Sequence, residues 1–273
     1  MPCRGICLGI SHMARALLPL WLALLPLSCL SDATVWAARV NKTATAEALR
    51  LEGCPLPMYS AQQQTARATA CEVQAALNAS ARPGEGALCI FGSGFDTPMW
   101  AAMAARARVK FHVFEYQAQW AHVAKKGLDA KGLKATVEVV RYTCKARDWA
   151  SQLRPMPRPT SARDAACDVT IVDSPGGGVG RKQEGRGQSM REALRITRAG
   201  GVVYLDDATR ALEKRLVAHF WDRPCARGVD LIDVRLGFAR CRVIDSWRPE
   251  QAAAVASMWQ AAVGYATSMY YSL

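Results

Sequence analysis

The chain has 273 residues, of which 51% are apolar, and a net charge of +12. This length and composition suit one globular domain and exclude a disordered or collagen-like chain. The positive charge predicts an acidic partner, and Arg181–Arg198 alone carries six basic residues against two acidic ones. Because no nucleic-acid-binding motif accompanies them, an acidic polysaccharide or a phospholipid surface is favoured over nucleic acid. A solvated basic helix face is the alternative interpretation.

An uncharged apolar run, Ala16–Leu30, follows Arg4 and Arg15 near the N-terminus. It has the length of a signal-peptide core and is short for a bilayer span of roughly 20 residues. Residues 1–37 are therefore predicted to be a signal peptide, cleaved after Ala37, or an uncleaved membrane anchor. After them we expect a stem or linker at 38–58, a folded domain at 59–247 and a packed C-terminal helix at 248–273.

Ten cysteines are more typical of a luminal or secreted protein than of a cytosolic one. They show no metal-ligand spacing. Cys225 and Cys241 flank a predicted strand and are predicted to form a disulfide. Cys89 and Cys167 lie in apolar strands and are predicted to be buried thiols or bridge partners.

Helical periodicity at Ser60–Ala79 is followed by alternating strands and helices. The predicted strands are Ala87–Phe91, Val109–Glu115, Thr136–Tyr142, Val169–Asp173 and Gly201–Leu205, and the helices that follow them are Pro98–Ala107, Gln117–Ala130, Arg147–Leu153, Gln188–Arg198 and Thr209–Phe220. Val229–Leu236 and Arg240–Ser246 indicate an antiparallel hairpin. This order predicts an α/β fold with a mostly parallel, Rossmann-like sheet and helices on both faces. With the closing hairpin it is the pattern of class I methyltransferases.

Glycines and an acid follow the first two predicted strands, at the edge where parallel sheets bind ligands. The segment Gly92-Ser93-Gly94 permits close approach of a ligand to the backbone. Glu115 ends the second strand roughly twenty residues later, where nucleotide-binding sheets place an acid for a ribose diol. A solvent-exposed strand end is the alternative for Glu115.

Three aspartates end the fourth and fifth predicted strands. Asp173 can serve as a general base, or can ligate a metal that polarises a hydroxyl. Together with Asp206 and Asp207 it offers oxygen ligands that suit magnesium, manganese or calcium. We expect one of the adjacent pair to cap the following helix and Arg210 to neutralise the other. The absence of a GxSxG elbow and of a Walker A loop disfavours hydrolases and kinases.

Five segments form an ordered set: FGSGFDTPMW (Phe91–Trp100), VFEYQAQW (Val113–Trp120), YTCK (Tyr142–Lys145), VDSPGG (Val172–Gly177) and YLDDATRALE (Tyr204–Glu213). They resemble, at similar spacing, the blocks FGLGHDSLMW, VFLEEDxxW, YTTK, VDAPxG and VHDVDRxVE of the plant and algal glucuronoxylan 4-O-methyltransferase-like family. The family's second Glu, its Asp and a His are replaced here by Tyr116, Gln117 and Asp206.

This resemblance implies S-adenosylmethionine as methyl donor and the 4-hydroxyl of glucuronic acid in a cell-wall polysaccharide as acceptor. It implies a Golgi luminal enzyme, either a single-pass type II membrane protein or a secreted one if the signal is cleaved. We expect the cofactor at Gly92, Ser93, Gly94, Asp96, Glu115 and Asp173, catalysis by Asp173 and Asp207, and substrate binding by Arg181, Lys182, Arg186 and Arg210. A divalent cation at Asp173, Asp206 and Asp207 stays open. A non-catalytic polysaccharide-assembly factor and a metal-dependent small-molecule O-methyltransferase are the alternatives.

Overall fold

The computed structural model describes residues 67–175, 184–221, 230–233 and 237–244, together with Cys54, Leu56 and Cys225. The predicted signal segment, most of the predicted stem and the predicted C-terminal helix lie outside the described residues. Within the described part of the chain, no helix combines the length and the apolar character needed to cross a membrane.

The described helices are α1 (Arg67–Ser80), α2 (Thr97–Arg106), α3 (Ala118–Asp129), α4 (Trp149–Gln152), α5 (Gly187–Ile196) and α6 (Ala211–Phe220). The strands are β1 (Ala87–Phe91), β2 (Lys110–Glu115), β3 (Thr136–Val139), β4 (Cys167–Val172), β5 (Thr197–Leu205), β6 (Asp230–Asp233) and β7 (Phe238–Arg242). Pro98 lies in the first turn of α2, where its missing N–H costs no hydrogen bond.

The strands form one seven-stranded sheet in the order β3-β2-β1-β4-β5-β7-β6. Strands β3, β2, β1, β4 and β5 are parallel to one another, and β7 is antiparallel to both β5 and β6. Helices α2 and α3 pack together against β1 to β3, whereas α5 packs against β4 and β5 with α6 beside it. Because crossovers between parallel strands are right-handed, and the chain runs from β1 to one side of the sheet and from β4 to the other, the two helix pairs are expected on opposite faces. The predicted α/β fold, with its mostly parallel sheet and C-terminal antiparallel pair, is confirmed.

The central strands β1 and β4 are buried along their whole length. The unbroken apolar sequence of β1 follows from having helices on both faces of the sheet. Leu88 and Ile90 of β1 pack with Trp100 of α2 and Val169 of β4 in the main core. This core holds the carboxyl ends of β1, β2, β4 and β5 at one edge of the sheet.

Three disulfides lie among the described residues. Cys225 pairs with Cys241, as predicted, and Cys89 of β1 pairs with Cys167 of β4, 78 residues along the chain. The third joins Cys54 to Cys71 of α1, a pairing that the sequence did not predict. The buried Cys144 is a free thiol.

A buried carboxylate fastens the edge of the sheet opposite these strand ends. Asp168 of β4 is fully buried and accepts hydrogen bonds from the Arg82 backbone N–H, from Arg82 Nε and from Arg198 Nε. It thereby joins the segment before β1 to the start of β5. The charge is compensated by two guanidinium groups, so its desolvation is offset.

We expect Asp168→Asn to lower the free energy of unfolding by about 2 kcal/mol, because hydrogen bonds to a charged acceptor become bonds to a neutral amide. Urea denaturation measures the loss. Asp129→Asn, at an exposed position in the last turn of α3, is the control and should change stability by less than about 0.5 kcal/mol. Equal effects of the two substitutions would contradict this role of Asp168.

Candidate active site

The loop after β1 is open on one side and closely packed on the other. Gly92 has φ of 118°, and a Cβ there would lie 2.9 Å from Ser174 Cβ, so a larger residue would clash and be strained. A Cβ on Gly94, in contrast, would meet no heavy atom within 4 Å. The Gly94 N–H donates to Thr97 Oγ1 at 3.0 Å, which ties the loop to the start of α2. The open side leaves room for a ligand against the backbone.

Glu115 ends β2 beside this loop and is 3% exposed. Its Oε2 accepts hydrogen bonds from Ser93 N and Ser93 Oγ, each at 2.8 Å, and its Oε1 accepts from Gln117 N at 2.9 Å. The acid and the glycine segment predicted for a cofactor are therefore in direct contact. Asp96 lies at the N-cap of α2 and makes no side-chain capping bond.

A buried guanidinium joins the ends of β4 and β5. Arg186 precedes α5, and its side chain is 2% exposed. Nη2 donates to Asp173 O at 2.8 Å, to Asp173 Oδ1 at 3.1 Å and to Asp207 Oδ2 at 2.9 Å. Nε donates to Pro175 O at 3.2 Å, and Nη1 donates to Asp206 O. Five acceptors from two strand ends thus share one cation.

Arg186 is positioned by hydrogen bonds that hold the start of α5, which directly follows it. Gln152 of α4 is fully buried and accepts from the Gly187 N–H at 2.8 Å. Gln188, also fully buried, accepts from Thr143 N and donates to Thr143 Oγ1, each at 2.8 Å. These two glutamines hold the first turn of α5 against the segment after β3. They were not predicted as site residues, because a polar glutamine carries no sequence signal for burial.

The Asp173 carboxyl faces two other acids. One ligand atom from each of Asp173, Asp206 and Asp207 lies within 4.8 Å of the others. Desolvation among the surrounding protein atoms raises the pKa of Asp173 well above its usual range. The nearby Asp206 and Asp207 raise it further, and Arg186 opposes them. Because 47% of the Asp173 side chain is exposed, water moderates the desolvation, but both like charges act in the same direction.

Asp207 binds two arginines and adopts a left-handed backbone conformation, with φ of 56°. Its Oδ2 lies 2.9 Å from Arg186 Nη2 and 2.7 Å from Arg210 Nη1. The expected neutralisation by Arg210 is confirmed. The expected capping of the next helix is wrong: α6 begins at Ala211 with Arg210 at the cap, because the chain makes a further turn after Asp207.

Glu213 of α6 is fully buried, and neither carboxyl oxygen has a hydrogen-bond partner among the described residues. Burial raises its pKa, and the charges of Arg186 and Arg210 oppose that increase. Tyr142, in the segment after β3, also has a buried hydroxyl, and burial raises its pKa well above the usual value.

The described basic residues of the segment Arg181–Arg198 form ion pairs or hydrogen bonds within the fold. Arg195 is buried and paired with Glu192 and Asp164, and Arg198 binds Asp168. Arg186 was expected to bind the substrate carboxylate, but its guanidinium is already engaged by acceptors at the ends of β4 and β5. Arg181 and Lys182 lie outside the described residues, and Arg210 is 44% exposed beside Asp207. A solvated basic helix face does not describe α5, whose residues are nearly all buried.

No protein-family model and no curated protein matches the chain. Solved structures with a similar fold include the tRNA (m1A58) methyltransferase of Aquifex aeolicus, 11% identical over 69% of this chain and 73% of that chain, with a TM-score of 0.43. An S-adenosylmethionine-dependent O-methyltransferase of Thermotoga maritima is 14% identical over 68% and 69%, with a TM-score of 0.42. The T. thermophilus 16S rRNA N2 G1207 methyltransferase, solved with AdoMet and guanosine, is 17% identical over 68% and 45%, with a TM-score of 0.44. These likenesses concern the fold alone, and the glucuronoxylan family is not confirmed.

Proposed function

We propose that the protein is an S-adenosylmethionine-dependent O-methyltransferase that acts on the 4-hydroxyl of glucuronic acid residues in a polysaccharide. One observation carries the proposal: an open glycine loop, a carboxylate at the end of β2 and a carboxyl group of raised pKa at the end of β4 meet at one sheet edge. This arrangement supports a cofactor site beside a general base.

The residues present fit the cofactor. The space beside Gly94 leaves the backbone accessible, and Glu115 stands at the strand end suited to a ribose. Bound there, S-adenosylmethionine supplies an electrophilic methyl group. Ser93 would fix the Glu115 carboxylate through the hydrogen bond from its hydroxyl.

The protein's own part in the reaction is to align the acceptor and remove its proton. Asp173, in its ionised form, accepts the proton of the sugar hydroxyl. Arg186 holds that carboxylate at its Oδ1, and Arg210, half-exposed beside Asp207, binds the carboxylate of the sugar. Of the two described arginines that contact Asp207, Arg210 is the one accessible to a substrate, since Arg186 is enclosed.

The three aspartates do not require a metal ion. Two guanidinium groups already contact Asp207, and one of them also contacts Asp173. The positive charge that an acidic cluster needs is therefore supplied by arginine. The proposed reaction therefore needs no metal ion and should persist in the presence of a chelator.

The pH dependence of turnover follows from the raised pKa of Asp173. A general base must be ionised, so kcat/KM should rise with pH through that pKa, above the usual carboxyl range near about 4. Asp206→Asn removes a like charge, lowers the pKa of Asp173 and should move the rising limb toward lower pH. A pH–rate profile of both proteins measures this. A limb in the same place in both would contradict the role of Asp173.

The acceptor is tested with radiolabelled methyl donor and a panel of acidic and neutral glycans. Methylation of glucuronic-acid-bearing glycans and none of matched neutral glycans is the expected result. Transfer to neutral glycans alone would overturn the acceptor half of the proposal. A secretory-pathway location, with the Golgi lumen as the proposed compartment, is supported by the three disulfides among the described residues.

One observation favours a second candidate, a non-catalytic polysaccharide-assembly factor. Both Glu115 oxygens are already engaged by the protein, and the side chain is 3% exposed. A carboxylate oxygen can accept more than one hydrogen bond, so a ribose is still compatible with this arrangement. The Asp173 substitution described in the Discussion separates the two candidates.

A further inference from the structure

The exposed side of α6 carries basic residues and no acid. Lys214, Arg215 and His219 are exposed there, whereas Glu213, the acidic residue of this helix, is fully buried. None of the described acidic side chains forms an ion pair with Lys214 or Arg215. Their charges are therefore available to a partner.

An aromatic side chain lies beside these cations. The Arg215 guanidinium carbon lies 3.9 Å from the ring centroid of Trp149, the first residue of α4, and the His219 ring meets the same indole edge-on at 5.6 Å. Stacking on the indole restrains Arg215 and reduces the entropy lost when it binds an anion. Burial lowers the pKa of His219, and the positive charges of Arg215 and Arg191 lower it further. The potential here is positive.

The basic side of α6 leads directly away from the candidate active site. Arg210, which contacts Asp207, stands at the N-cap, and Lys214 follows one helical turn later. From Arg210 to His219 the helix rises by about 14 Å. A polysaccharide whose reacting sugar lies at Asp173 and Arg210 would have room to extend along the basic side of α6.

We propose that Lys214 and Arg215, with Trp149 beside them, form the surface that binds the acidic polysaccharide chain beyond its reacting sugar. The inference rests on the proposed function for the position of the reacting sugar. The carboxylates of a uronic-acid chain are complementary in charge to the exposed cations of α6. We assign the binding of the acidic partner to this surface and not to the segment Arg181–Arg198. The described cations of that segment are largely paired with acceptors inside the fold.

Lys214→Glu/Arg215→Glu tests the surface, with Lys125→Glu/Lys126→Glu as the matched control. Both changes reverse two adjacent exposed charges on a helix, and α3 packs against α2, β2 and β3 whereas α6 packs against α5. Fluorescence anisotropy with labelled oligogalacturonate at low salt should show affinity about ten-fold weaker for the α6 variant and changed less than about two-fold for the control. Lys214→Glu alone leaves the Trp149 contact intact and should produce part of the loss.

Neutral xylo-oligosaccharides and oligouridylate of similar length complete the test. Equal loss in the α6 variant and the control, equal affinity for the neutral glycan, or tighter binding of oligouridylate through Lys214 and Arg215 would each overturn the proposal. Calorimetry with S-adenosylmethionine on the same preparations keeps the two proposals distinct. Failure to bind the donor, with the oligogalacturonate effect retained, would remove the methyltransferase function and leave the acidic-glycan surface standing.

Discussion

Replacing Arg186 with methionine should lower the free energy of unfolding by about 3–5 kcal/mol. The substitution removes a 2% exposed guanidinium and leaves the Asp173 and Asp207 carboxylates without it. It also leaves the carbonyl oxygens of Asp173, Pro175 and Asp206 without their donor. Burying uncompensated acceptors is among the most costly changes that a fold can suffer. Urea denaturation followed by circular dichroism measures the loss.

Arg210→Met is the matched control for Arg186. It removes another arginine from the same Asp207 oxygen, but its side chain is 44% exposed. Exposed ion pairs contribute at most about 1 kcal/mol, so its effect on unfolding should be small. If the two variants were equally stable, Arg186 would not be the residue that joins β4 and β5.

Asp173→Asn should abolish most methyl transfer while leaving donor binding intact. Loss of a general base lowers kcat by about 10²–10⁴-fold. The amide oxygen can still accept the hydrogen bond that Arg186 now donates to Oδ1, so the fold should survive. Methyl transfer to an acidic glycan and calorimetry with S-adenosylmethionine measure the two properties on one preparation.

Asp206→Asn is the control for the Asp173 substitution, because it neutralises an acid of the same cluster and keeps the proposed base. It should retain turnover with the acid-shifted pH profile described above. A non-catalytic assembly factor would behave differently. Its biological activity in cells would be unaffected by Asp173→Asn. That outcome would favour the non-catalytic assembly factor over the methyltransferase.

The sheet was predictable because the apolar sequences of its strands reflect their burial. ALCIF in β1 is an unbroken apolar run, as expected of a central parallel strand, and β1 has the predicted bounds. The edge strand β3 was harder: it ends at Val139 rather than Tyr142. Its burial is only partial, so apolar sequence is a weaker guide to its end. β5 begins earlier than predicted, at Thr197, because α5 passes directly into it.

The glycines and Glu115 were predictable as neighbours, since the ends of adjacent parallel strands meet at one edge. The position of Arg186 was not. In the sequence it is one of several basic residues in a run, and such residues are usually exposed. Its burial depends on acceptors at Asp173, Pro175, Asp206 and Asp207, which come together only when β4 and β5 pair. A tertiary arrangement of this kind produces no local sequence pattern from which the burial of Arg186 could be predicted.

The most direct test of the account is a calorimetric titration of the folded protein with S-adenosylmethionine. The open loop at Gly94 beside Glu115 predicts saturable heat at one site per chain. Glu115→Gln should weaken that binding, because the carboxylate charge offered to the ribose is lost. Absence of binding by protein whose circular dichroism and disulfides show it to be folded would contradict the methyltransferase function.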